Sequence, residues 1–66
     1  MTIHIDKQAD AAYIRLAEGT SFESEDVGSG VVLDFDQSGK LLAVELLEIS
    51  KNVPGGIFSK VEVLTA

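Results

Sequence analysis

The sixty-six residues contain no cysteine and no tryptophan, with one proline, one methionine and one histidine. Without cysteine there is no disulfide to staple the fold, and with His4 as the sole histidine a structural zinc site has no ligand set to draw on. Basic residues are scarce as well: five against eleven acidic, a net charge of −6. The lysines lie apart at 7, 40, 51 and 60 and form no patch. Such a chain repels phosphate backbones and anionic lipid, so neither nucleic acid nor a membrane surface is expected as a partner. No apolar run approaches the ~18 residues of a membrane span. No charged start followed by an apolar stretch reads as a signal peptide, and the expected location is cytoplasmic.

What is present is a chain 45% hydrophobic, too apolar to be disordered by composition and long enough for one domain over residues 1–66. A core of this size supplies only roughly 3–5 kcal/mol unless something reinforces it. Disulfide and zinc being excluded, a second subunit is the expected reinforcement, and a homo-oligomer, most simply a dimer, is the expected state.

The apolar pattern has a period of two. In "TIHID", residues 2–6, Ile3 and Ile5 share one face, and in "AAYIRLA", residues 11–17, Ala12, Ile14 and Leu16 oppose Tyr13 and Arg15. The two runs, with "KQAD" between them, read as a hairpin; a helix over 8–18 is the competing reading. "FESEDV", residues 22–27, reads as an acidic edge strand and "GSG" as a turn. "VVLDF", residues 31–35, is a strand with Val31, Leu33 and Phe35 to one side. "DQSG" has type I turn preferences, and residues 40–49 run back as a strand apolar on both faces, through Leu42, Val44 and Leu46 on one and Leu41, Ala43 and Leu47 on the other. After Pro54 and two glycines, residues 57–64 fit either a final strand or a short helix. The expected class is therefore mainly β, an antiparallel meander, with α+β left open by that last segment.

One stretch imitates a metal site. "DFDQSGKLLAVE", residues 34–45, has EF-hand spacing, with Asp34, Asp36 and Ser38 at loop positions 1, 3 and 5, Gly39 at 6 and Glu45 at 12. Asp34, Asp36, Ser38 and Glu45 are the candidate calcium ligands, and Gly39 permits the bend. Such a loop needs helices on both sides to bring position 12 back to the ion, whereas "GSGVVLDF" is a poor helix. If 40–49 is a strand, Glu45 rises away at about 3.3 Å per residue and lies opposite a residue near 30. The structural reading explains the same letters: Asp36 accepts turn amides, Gly39 provides positive φ, and alternation directs Asp34 and Asp36 to solvent. No metal and no cofactor is expected, and calcium binding is the alternative reading.

Catalytic patterns are sparse. His4 beside Asp6 invites a Ser–His–Asp reading with one of Ser21, Ser24, Ser29, Ser38, Ser50 or Ser59, yet no serine stands in a nucleophile elbow. The i, i+2 acidic pairs Glu23–Glu25 and Asp34–Asp36 read as solvated faces, since acid–base chemistry needs a pocket that raises one carboxyl pKa. No catalytic residue is expected and the chain reads as a non-enzyme.

The order of features resembles the DUF2283 family of small uncharacterised proteins, whose pattern opens "D-x-x-A-D-A-x-Y-I-x-L". Asp6, Ala9, Asp10, Ala11, Tyr13, Ile14 and Leu16 fit that opening. Gly30, Val31, Leu33, Asp34, Asp36 and Gly39 fit a "G-V-x-L-D-x-D-x-x-G" block, and Glu45, Leu47 and Ser50 fit a third. Ala43–Val44 stands for the usual Gly–Ile, and Ile49 for a small residue; the likeness covers roughly residues 3–51. It implies a β-rich domain and a hairpin, not an EF-hand, at 34–45. Some relatives look like partners of toxin-like proteins, so an antitoxin-like role is conceivable from the resemblance. Residues and resemblance together give the expectation of a non-enzymatic interaction module, its protein partner basic to complement the charge.

Overall fold

The computed structural model describes residues 1–53. Alternation and turn chemistry produce three hairpin pairings in one five-stranded antiparallel sheet. The strands are β1 (Thr2–Asp6), β2 (Ala11–Arg15), β3 (Glu23–Gly28), β4 (Val31–Phe35) and β5 (Leu41–Leu46), followed by one helical turn, α1 (Ile49–Asn52). The first hairpin pairs β1 with β2, Ile3 opposite Ile14 and Ile5 opposite Ala12. The helix considered over 8–18 does not form. β3 pairs with β4 and β4 with β5, each through a short turn. The mainly β class stands as expected. Residues 57–64, expected as strand or short helix, lie outside the described residues.

The spatial order is β1-β2-β5-β4-β3, so β3, β4 and β5 form a meander and the first hairpin docks on its far side, against β5. The chain must therefore cross from β2 to β3 past the β4–β5 turn. The amides of Leu16 and Ala17 both donate to the Leu42 carbonyl at the start of this crossover, at 2.7 and 3.2 Å, and Phe22 N–H donates to the Phe35 carbonyl at its end. Leu42 has no opposite number on β4, because Asp34 faces Ala43 and Phe35 faces Leu41. This extra residue makes a bulge, which bends β5 and increases its twist. The crossover lies against it: a Cβ on Gly19, whose φ is +144, would come 2.9 Å from Leu42 Cδ2. The Arg15 guanidinium donates to the Gly19 carbonyl and, at 3.2 Å, to the Tyr13 hydroxyl.

Beyond Leu46 the strand expected to reach residue 49 stops, and α1 takes its place. Glu48, at φ 50, turns the chain in the left-handed region, and its carbonyl accepts from the amides of Lys51 and Asn52. A helix of four residues has too few internal hydrogen bonds to hold itself. Asp10 anchors it: the Asp10 carbonyl accepts from Ile49 N–H at 3.0 Å, and its carboxylate accepts from Ser50 N–H at 3.1 Å and Ser50 Oγ at 2.6 Å. Gly30 makes room on the other side, since a Cβ there would lie 2.5 Å from the Leu47 carbonyl oxygen and from Asn52 Nδ2.

Among the described residues the buried hydrophobic core is Ala12, Leu42, Ala43 and Ile49, two of them alanines. That is little burial for a five-stranded sheet, and it leaves most of one face only half covered.

Candidate functional site

The stretch 34–45 is a hairpin; of its four candidate ligands Asp36 and Ser38 meet in the turn, while Asp34 and Glu45 lie apart on the strands. Asp36 Oδ1 accepts from Ser38 N–H at 2.9 Å, Ser38 Oγ at 2.7 Å and Lys40 N–H at 2.9 Å. Gly39, at φ +89, closes the turn with its amide on the Asp36 carbonyl. The Ser38 hydroxyl and then the Lys40 amide hold the Asp36 carboxyl below its ordinary value of 3.8, because each stabilises the charged form. Glu45 stands between Tyr13 and Val32 in the middle of the sheet. Val32 opposes it where a residue near 30 was expected, and the displacement from the turn is of the expected kind. Among the described residues no three His, Cys, Asp or Glu side chains converge in a way that would hold a metal ion.

Asp34 departs from expectation. It does not face solvent but is 7% exposed, with Ser24 Oγ donating to its Oδ1 at 2.6 Å. Alternation places Asp34 correctly on the face opposite Leu33; it could not show that Ser24 and Ala43 flank it on neighbouring strands. The hydrogen bond is what makes a buried carboxylate tolerable.

No described catalytic arrangement forms around His4. It lies exposed on β1 opposite Tyr13. Asp6, its imagined partner, caps the β1–β2 turn by accepting from Ala9 N–H at 3.0 Å. Ser24, Ser38 and Ser50 each donate to a carboxylate, that of Asp34, Asp36 and Asp10 respectively. An open hollow of about 340 Å³ lies between the crossover and the β4–β5 turn, lined by Thr20, Ser21, Phe22, Asp36, Gln37 and Ser38. Its one carboxylate is the one already occupied by the turn.

The feature that stands out is a surface. In an antiparallel sheet directly paired residues point to the same side, so register assembles side chains into rows across the strands. One row runs Ile3, Ile14, Val44, Leu33; the next runs Ile5, Ala12, Leu46, Val31. Ala12 is buried, Ile3 is 49% exposed, and the other six are half-buried. Glu25, opposite Leu33, and Glu23, opposite Phe35, give this apolar face an acidic margin. On the reverse face the rows run His4, Tyr13, Glu45, Val32, Asp26 and Thr2, Arg15, Ala43, Asp34, Ser24, so polar side chains predominate and the buried Ala43 and Asp34 lie among them. Although β5 reads as apolar on both faces, the alternation of β1, β2 and β4 was readable from their own letters. The rows were not, because they require β2 beside β5.

Among the described residues no helix is long and apolar enough to cross a membrane. No curated protein and no solved structure matches the chain. A family model described as "Protein of unknown function (DUF2283)" matches residues 2–50, the whole of the described sheet and the start of α1. The chain belongs to the DUF2283 family.

Proposed function

We propose that this protein is a non-enzymatic interaction module that works as a homo-oligomer and uses its apolar sheet face to dock protein. The observation that carries the reading is the pair of apolar rows, Ile3–Ile14–Val44–Leu33 and Ile5–Ala12–Leu46–Val31, of which only Ala12 is buried among the described residues. A sheet hydrophobic on one face gains stability by burying it, and each Å² of apolar surface removed from water contributes about 25 cal/mol. The acidic margin at Glu23 and Glu25 and the net charge of −6 favour a partner surface that is apolar at its centre and basic at its rim. A cytoplasmic setting fits that exchange of surfaces.

The test is sedimentation velocity over a concentration series. Self-association in the micromolar range supports the homo-oligomer, and a monomer throughout that range removes it. The face itself is tested by Leu33→Lys, at a half-buried position on β4. Where a binding partner has been captured, this substitution is expected to weaken its binding at least tenfold while the β-type circular dichroism persists. Unchanged binding would mean that another surface does the docking.

A further inference from the structure

We infer that two copies join edge to edge through β1, antiparallel about a twofold axis at His4, extending the five-stranded sheet to ten strands. The inference rests on the homo-oligomer reading and gives it a geometry. Its basis is a difference between the two edges. A sheet edge offers unpaired amides and carbonyls to any extended chain, and proteins guard such edges with charge, bulges or irregularity. β3 has both guards, with Glu23, Glu25 and Asp26 in six residues and a bulge between Asp26 and Gly28. Self-pairing of β3 about Glu25 or about Asp26, the symmetric registers nearest its middle, would set that carboxylate opposite its own copy. β1 has neither guard: "TIHID" pairs with β2 without a register shift and holds one charge, Asp6, at its end.

Register selects His4 for the axis. Centring there sets Ile3 opposite Ile5 of the second copy and Thr2 opposite Asp6, so all five residues find partners and no like charges meet. A slip of one residue would set Ile3 against His4 and send one copy's apolar face to the other side of the joined sheet. A slip of two keeps the faces but leaves only three paired residues. In the full register the row through Ile3 and Ile14 continues into the row through Ile5 and Ala12 of the second copy, and the apolar face becomes one surface twice as wide. Met1, Thr2, Ile3 and His4 are all exposed, so the edge is accessible.

A five-residue ladder buries less than the roughly 1,200 Å² of a standard interface, so the pairing is expected to be reversible and is best read by covalent capture. The chain has no cysteine, which makes a single introduced thiol unambiguous. His4→Cys brings two thiols together across the axis at a spacing that a disulfide spans, Cα atoms about 4.5–5.5 Å apart. Glu25→Cys on the guarded edge is the control for collisional cross-linking. Under mild oxidation His4→Cys is expected to form covalent dimer at least tenfold faster than Glu25→Cys. Equal rates, or no His4→Cys dimer while the unsubstituted chain self-associates in sedimentation, overturn the edge pairing and leave the homo-oligomer to another surface. No cross-linking from a chain that sediments as a monomer overturns both.

Discussion

Two aspartates two residues apart have different fates, and the difference is set by their neighbours. Asp36 is a turn residue whose carboxylate gathers three donors, two of them from Ser38. Its pKa is lowered on folding, so its contribution to stability is complete above the unfolded value of 3.8 and disappears as pH falls through the lower folded value. In Asp36→Asn the midpoint of denaturant unfolding is expected to fall at neutral pH. The gap to the unsubstituted chain should then narrow as the pH is taken below 3.8. A gap independent of pH would mean that the charge of Asp36 contributes nothing. Asp34, by contrast, is buried and depends on Ser24 across the strand pair. Ser24→Ala leaves a buried carboxyl group without its hydrogen-bond donor and is expected to cost about 1–3 kcal/mol in chemical denaturation. A cost near zero would show that the Asp34 carboxylate is satisfied without Ser24.

At the scale of the element, α1 is the part least able to form alone. Its one turn is tied by Asp10, forty residues earlier, and Asp10 itself holds φ 56, a conformation that aspartate tolerates better than most residues. The Lys51–Glu48 ion pair, at 3.7 Å between two exposed side chains, adds little. Asp10→Ala is therefore expected to release α1 selectively. Hydrogen exchange at Ile49 and Ser50 should accelerate at least tenfold while the amides pairing β4 with β5 keep their protection. Uniform acceleration across the sheet would show instead that α1 and the sheet unfold as one unit. The glycines at the other end make the same point by contrast. Gly28→Ala meets nothing within 4 Å and suffers only its positive φ, whereas Gly30→Ala also collides with the Leu47 carbonyl. The first should cost about 1–3 kcal/mol and the second distinctly more, by thermal unfolding.

For the whole molecule the deciding quantity is how little is buried. Among the described residues a core of Ala12, Leu42, Ala43 and Ile49 is small for an independent domain, and two apolar rows remain half-covered beside it. If association supplies the missing burial, stability becomes a function of concentration, since whatever binds only the folded state stabilises it by mass action. The thermal midpoint is expected to rise by several degrees over a hundredfold increase in protein concentration. A midpoint that stays constant would show that the chain is stable by itself and gains nothing from self-association.

The sequence by itself determined the parts that depend on near neighbours. Period-two alternation drew the strands to within a few residues, Asp36 and Gly39 wrote the β4–β5 turn, and the acidic run of residues 23–26 marked an edge. The family was legible for the same reason, since its pattern is a series of such local signals. Only the tertiary structure decided that β2 lies beside β5, that Leu42 is an extra residue under the crossover, that Asp34 is buried and that Asp10 holds a helical turn at Ser50. Each of these joins residues far apart in the chain. Which distant strands meet depends on the free energy of the whole packed sheet against the entropy of closing the loops between them, and no window of neighbouring letters contains that balance.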